Sequence, residues 1–257
     1  MEHQYPDKDK SKKSFFISDL HLFARRSTAP SLDAAIQEAA RQSHTCVLGG
    51  DIFDFRWSSH RDLEEAIHHS RQWLERLVAA NTGCRFYYLL GNHDCHPQFV
   101  ESLQQMTKTF PHMEWHRHYA RIDGNVFLHG DIVDTPVRPG IAHHEILDLR
   151  RSAKESRRPP HAFSHTLYDA AVKTRMHRVV MTLARRNELV LKRLTRYLES
   201  QGEMASTGVE NVYFGHTHRQ MLAVPFEGMK FHNPGAAIKG LPFRILETRV
   251  QEVRPVT

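Results

Sequence analysis

Five short clusters of metal-ligating side chains punctuate this chain: Asp19-Leu20-His21, Gly50-Asp51 with Asp54, Gly91-Asn92-His93-Asp94, His129-Gly130-Asp131 and Gly215-His216-Thr217-His218. Carboxylates, imidazoles and an amide oxygen together suit hard to borderline divalent cations. A single histidine at the end of an apolar run is commonplace. Five polar clusters, each closing such a run, do not read as core, because buried polar groups without partners are costly. Two cations about 3.5–4 Å apart can share one oxygen ligand. Asp51 is the residue placed to be shared: a carboxylate has two oxygens, and Gly49-Gly50 let the backbone turn sharply just before it.

The clusters imply the elements that carry them. Phe15-Phe16-Ile17, Thr45-Cys46-Val47-Leu48, Arg85 to Leu90, Val126-Phe127-Leu128 and Val209 to Phe214 read as strands. Polar residues just past their C-terminal ends sit where open α/β sheets bind ligands. Between them, Ser31 is expected to cap a helix to about Ser43, Arg61 to Ala80 has helical periodicity, and Pro97 opens a short helix to about Lys108. Met221 to Val224, Met229 to His232 and Arg244 to Val253 read as a closing antiparallel set. The stretch from about 137 to 208 changes character: it has no convincing strand, and Thr166 to Gln201 has helical spacing. It reads as a helical cap insertion in a single domain spanning 14–257, preceded by a disordered tail over 1–13.

At 257 residues the chain can bury a sizeable core. No apolar run approaches the roughly 20 residues of a membrane-spanning helix. Met1 to Lys13 lacks the apolar centre of a secretory leader. Cys46, Cys84 and Cys95 have no paired spacing, which points to a reducing compartment. The formal charge is +6, and its excess is local. Arg138 to Arg196 holds 14 basic and 5 acidic residues, against 21 and 24 elsewhere. Such a segment suits an anionic substrate or surface, or simply keeps helices soluble. No interleaved aromatics accompany it, so nucleic acid is not the expected partner.

In this order the five motifs resemble the calcineurin-like metallophosphoesterase superfamily, over Phe15 to about Phe243. The resemblance implies a four-layer αββα sandwich, where the alternation of elements alone supports only α/β. It implies two divalent metal ions: Asp19, His21, Asp51 and His218 on the first, Asp51, Asn92, His129 and His216 on the second. Mn²⁺ suits this oxygen and nitrogen mix, with Fe and Zn as alternatives. It further implies in-line attack on phosphorus by a hydroxide bridging the metals. His93 would stabilise charge or protonate the leaving oxygen, with Asp94 orienting it. Asp54 and Asp131 would align ligands or simply serve as turn and cap residues. Arg56 and Arg219 adjoin motifs and would contact phosphate or form surface ion pairs. His216 and His218 are two apart, so their turn must splay them onto different metals.

Within the superfamily the chain most resembles the UDP-2,3-diacylglucosamine hydrolases of lipid A synthesis. Asp19-Leu20-His21-Leu22, Gly50-Asp51-Ile52-Phe53-Asp54 with Trp57, His129-Gly130-Asp131, Gly215-His216-Thr217-His218-Arg219 and the basic insertion carry that likeness. It implies a pyrophosphate substrate on a lipid-linked nucleotide, and a cytoplasmic enzyme meeting an anionic membrane peripherally. Two features depart from that branch: His93, where it has arginine, and Asn233-Pro234-Gly235. They keep open a phosphodiesterase or phosphatase acting on a soluble substrate; a non-catalytic metal-bound scaffold is the reading from another class. Of the other histidines, His68-His69, His112, His116, His118 and His143-His144 read as surface residues. His165 and His177 are weak candidates for substrate contact.

Overall fold

The computed structural model describes residues 12–135, 141–155 and 187–250. Ten strands alternate with helices: β1 (Lys12–Ile17), α1 (Asp33–Gln42), β2 (Thr45–Leu48), α2 (Leu63–Ala79), β3 (Arg85–Leu89), α3 (Pro97–Thr109), β4 (Met113–His116), β5 (Tyr119–Ile122) and β6 (Asn125–Leu128). Then come α4 (His143–Glu155), α5 (Asn187–Ser200), β7 (Asn211–Phe214), β8 (Met221–Phe226), β9 (Met229–Asn233) and β10 (Leu246–Val250). The strands form two five-stranded sheets, ordered β10-β1-β2-β3-β4 and β5-β6-β7-β9-β8. β1, β2, β3 and β4 run parallel, as do β6, β7 and β9, while β10, β5 and β8 pair antiparallel at the edges.

Alternation along the strands builds the layers, since successive side chains face opposite ways. Phe16, Val47 and Leu89 of the first sheet meet Phe127 and Tyr213 of the second in one buried cluster. The intervening Ile17, Cys46, Leu48, Phe86 and Tyr88 pack outward with α1, α2 and α3 residues. Val126, Leu128, Val212 and Phe214 pack on their own outer side with Leu147 of α4 and Leu191 and Leu194 of α5. The result is the αββα sandwich. The Phe16 ring lies 5.8 Å from both Phe127 and Tyr213 across the seam, and those two rings stack at 5.0 Å within the second sheet. Full burial of each such side chain contributes about 1.5–3 kcal/mol.

Several expectations need correcting. Ser31 does not cap α1: its hydroxyl donates to Thr28 O within a 3-10 turn, Ala29–Leu32, that precedes the helix. Asp62 does cap a helix: it accepts from Glu65 N at 2.9 Å at the start of α2. Lys12 and Lys13 are strand, not tail, because β10 pairs with them. β10 leaves the expected closing set and crosses to the other sheet; only β8 and β9 pair antiparallel, and β9 runs parallel to β7. β4 and β5 had no sequence signal strong enough to separate them from loop. Of the insertion, α4 and α5 cover the second sheet, and residues 156–186, including His165 and His177, lie outside the described residues.

Candidate metal centre

Parallel strands deliver all five motifs to one edge. β1, β2 and β3 are neighbours, as are β6 and β7, so their C-terminal loops leave side by side. Backbone bonds stitch the loops together: Asp19 N to Gly50 O at 3.1 Å, His21 N to Asp51 O at 2.9 Å and Gly215 N to His129 O at 2.8 Å. Across the seam, His216 N donates to Asp19 Oδ1 at 2.9 Å, and His129 Nδ1 meets Gly49 O at 3.1 Å.

The backbone here is strained. Asp19 (φ 56°), His21 (46°), Asp51 (51°), His216 (61°) and His218 (54°) all occupy the left-handed region. Each such residue costs about 1–3 kcal/mol and persists only where its surroundings over-determine it. Five of the seven expected ligands share this conformation. Glycine makes room for them. A Cβ on Gly91 would overlap the Asp51 carboxylate, and one on Gly215 would overlap the side chains of Ser18 and Asp19.

Among the described residues this edge holds two ligand groups, Asp19 with His21 and His218, and Asp51 with His129 and His216, beside a third in which Asp54 and His93 share His21. In the first, His21 Nε2 and His218 Nε2 face each other at 3.1 Å, and Asp19 Oδ1 lies 3.3 Å from His218 Nε2 and 3.9 Å from His21 Nε2. In the second, His129 Nε2 lies 3.3 Å from Asp51 Oδ2. The same oxygen is 3.9 Å from His21 Nε2. A single atom therefore faces both groups. This differs from sharing through two oxygens, because Asp51 Oδ1 already accepts from His93 N at 2.8 Å. The turn at Thr217 sends His216 and His218 to different groups.

A test of fit is whether these atoms have any other partner. Asn92 Oδ1, His129 Nε2 and His216 Nδ1 are buried without a hydrogen bond. Native structures leave few such atoms, and two of these three residues, His129 and His216, belong to the Asp51 group. Charge gives the same answer. Asp19, Asp51, Asp54, Asp94 and Asp131 are all buried, and among the described residues Arg151 is the one buried arginine or lysine. Buried charges are paired or coordinate metals. Burial pushes the Asp51 carboxyl up, but His129, His93 and His21 together hold it well below the usual range. Burial also lowers His129, yet the Asp51 and Asp19 carboxylates override it and raise the imidazole to about 10. That field is what a bound cation would satisfy in place of the proton. Burial holds His216 and His218 below their ordinary values, favouring the neutral imidazole that ligates. The donor set fits divalent cations.

A second layer fixes the imidazoles. Asp54 Oδ2 faces His21 Nδ1 at 3.2 Å and Oδ1 faces His93 Nδ1 at 3.0 Å, so one buried carboxylate sets both rings. Asp94 therefore does not orient His93. It accepts instead from Gly91 N (2.7 Å), Ile52 N (2.9 Å) and the Tyr88 hydroxyl (2.7 Å), tying the loops after β2 and β3 together. Asp131 aligns no ligand directly; it pairs with Arg151 Nε at 3.0 Å and an Arg151 terminal nitrogen at 2.8 Å. Arg151 also donates to Leu90 O and Arg117 O, docking α4 onto the site edge of both sheets. Arg56 is half-buried beside Trp57, and Arg219 is half-buried next to His218.

Two residues escaped sequence reasoning. Asp134, in the 3-10 turn Asp131–Asp134, lies 2.9 Å from His216 Nε2, the ring nitrogen across from the unpartnered Nδ1. Its place three residues after Asp131 was the available signal. Arg151 had none, lying in a stretch rich in arginine. Asp134 also borders a cavity of about 490 Å³ between that turn, α4 and α5, lined by Ile132, His143, Leu189, Lys192 and Arg196 among others.

A model of the family described as calcineurin-like phosphoesterase matches residues 13–220, which hold all five motifs. The chain belongs to this family. Similar curated proteins include two named UDP-2,3-diacylglucosamine hydrolase. One, from Ralstonia nicotianae, is 37% identical over 82 residues, 31% of this chain and 30% of that protein. The other, from Pasteurella multocida, is 34% identical over 84 residues, 32% of this chain and 34% of that protein. The chain thus spans about a third of the length of these relatives in the matched region. As a calcineurin-like phosphoesterase, it carries its motif residues at the edge where both sheets converge.

Proposed function

We propose that this protein is a metal-dependent hydrolase of phosphoric esters or anhydrides. One observation carries the reading: Asp51 Oδ2 faces both ligand groups at once, 3.3 Å from His129 Nε2 and 3.9 Å from His21 Nε2. Asp19, His21, Asp51 and His218 would hold one divalent ion, and Asp51, Asn92, His129 and His216 a second. Such a pair lowers the pKa of a bound water and neutralises phosphoryl oxygens. The chain's own residues do the rest. Asp54 and Asp134 fix which nitrogen each of His21 and His216 presents. Asp54 holds His93 through Nδ1 at 3.0 Å, and His93 would stabilise or protonate a leaving oxygen. Mn²⁺ is the ion we assign first.

For the substrate we propose a UDP-2,3-diacylglucosamine type of molecule, cleaved at its pyrophosphate. The two similar proteins of that name support it, as does the cavity beside Asp134, where Lys192 and Arg196 would attract an anion and Leu189 and Ile132 offer apolar surface. Leu149 and Leu189 of the insertion are exposed, which suits contact with a lipid surface from the cytoplasmic side. Among the described residues no helix is long and apolar enough to cross a membrane. A second reading, a phosphodiesterase or phosphatase of soluble substrates, is favoured by Asn233. It braces the Gly215 to Thr217 turn through Gly215 O at 2.8 Å and Thr217 Oγ1 at 3.2 Å, a role indifferent to lipid.

The test is hydrolysis by the Mn²⁺-loaded protein of UDP-diacylglucosamine, set against bis-p-nitrophenyl phosphate and p-nitrophenyl phosphate. The first reading expects UMP release to dominate. Turnover of the simple esters with none of the lipid nucleotide would favour the second. Two bound metals with no hydrolysis of any substrate would leave only a binding scaffold.

A further inference from the structure

Sequence spacing makes His68-His69 a surface pair without a matching carboxylate, yet the fold supplies both a carboxylate and a third ligand. Glu65 and His69 are four apart on α2, so they share a face. The loop entering the helix lays the His60 ring on the His69 ring, with centroids 4.7 Å apart and planes at 18°. One ring nitrogen of each histidine and one oxygen of Glu65 lie within 4.8 Å of one another. We propose that His60, Glu65 and His69 form a separate site for a single first-row divalent cation of the Zn²⁺ class.

Three observations carry this. First, His60 Nε2 is buried and makes no hydrogen bond, although the residue as a whole is half-buried. An imidazole nitrogen shut away without a partner is uncommon unless something coordinates it. Second, the ring is held in place: the Phe23 ring meets it edge-on at 4.5 Å, and His60 N donates to Ser58 Oγ at 3.1 Å. Third, Glu65 is positioned independently of any cation, because one of its oxygens accepts from Arg61 N at 2.8 Å.

The donor set decides the class of ion. Two imidazoles and one carboxylate with a fourth position open to water match Zn²⁺, and nitrogen donors favour Zn²⁺, Cu²⁺, Ni²⁺ and Co²⁺ over Mn²⁺ and Mg²⁺. Ligands on a tetrahedral Zn²⁺ stand roughly 3.3 Å apart. The three donor atoms lie within 4.8 Å of one another, so ligation would require them to close to that spacing. The group shares no residue with the ligand groups around Asp51. A cation here would clip the loop that follows Asp54 to α2, and Ser59 N already bonds that loop to Phe23 O at 2.9 Å.

The experiment counts metal. The full chain is stripped of metal, saturated with Zn²⁺, desalted and assayed for metal per protein, and the same is done with Mn²⁺. Wild type is expected to retain one Zn²⁺ more than it retains Mn²⁺. His69→Ala and Glu65→Gln should each lose that one equivalent, while His68→Ala keeps it. Circular dichroism and retained Mn²⁺ binding show that the variants are folded. A wild type that holds no more Zn²⁺ than Mn²⁺ overturns the proposal, whatever the variants do. So does an extra equivalent that survives in both His69→Ala and Glu65→Gln. Because the readout is the third equivalent alone, it stands apart from whether the Asp51 centre hydrolyses anything.

Discussion

Replacing Asp54 by asparagine should disable one ligand while sparing its neighbour. Asp54 Oδ1 accepts from Trp57 N at 2.9 Å and faces His93 Nδ1 at 3.0 Å, so in Asp54→Asn the amide oxygen stays at that position. The NH₂ group then falls at the Oδ2 position, 3.2 Å from His21 Nδ1. A donor there forces His21 to accept at Nδ1 and carry its proton on Nε2, the atom that faces His218 and Asp51. Loss of such a partner to a ligating histidine weakens metal binding about 10–100-fold, or about 1.4–2.7 kcal/mol. His93 keeps its hydrogen bond. Equilibrium dialysis against Mn²⁺ should show one site near wild-type affinity and one weakened by that factor. Hydrolysis of bis-p-nitrophenyl phosphate should recover as Mn²⁺ is raised. Two sites of unchanged affinity in Asp54→Asn would refute the role given to this carboxylate.

Other outcomes follow from the same contacts. Arg151→Ala strips the buried partner from Asp131 and should cost about 3–5 kcal/mol in urea unfolding, most of it recovered in the Asp131→Asn double variant. Asp134→Ala should weaken one Mn²⁺ about 10–100-fold in the same dialysis assay, because it releases His216 Nε2. Gly91→Ala places a methyl in the Asp51 carboxylate and should abolish binding of both metals, while a variant that still binds them would show the approach is looser than it stands here. Burial, with the Lys230 charge second, lowers His232 to about 4. Its neutral ring accepts from Ala223 N and stacks on Tyr213 at 4.5 Å. A histidine with a depressed folded pKa contributes stability that is whole above its unfolded value, about 6.5, and is lost as pH falls through 6.5 toward 4. After discounting for its partial exposure, the loss is on the order of 1–2 kcal/mol. Thermal melts from pH 7 to 4 should show that slope in wild type and a flatter one in His232→Gln.

The apolar runs were enough to mark the strands and an α/β fold, because strands announce themselves by burial, and the order of motifs, through the family resemblance it carries, implied the αββα sandwich and singled out the residues that the fold brings to one edge. Thr45–Leu48 and Arg85–Leu89 were legible because most of their side chains are apolar and buried. β4 and β5 were not, since Glu114 and Arg121 interrupt the pattern at sheet edges where one face meets solvent. Ser31 read as a cap because residue type cannot say whether a hydroxyl turns forward to the helix or back to Thr28 O. Asp54 and Asp94 show the sharper limit. Both were visible as carboxylates beside motifs, but which one holds His93 depends on where two loops cross. Asp94 turns inward to three donors, and Asp54 takes both imidazoles. Arg151 on Asp131, Asp134 on His216, and His60 on His69 are contacts between residues 20, 82 and 9 positions apart. The sequence alone determined what each side chain can do. Only the tertiary structure decided which side chains meet, because pairing at a distance is set by the packing of whole layers and leaves no local trace.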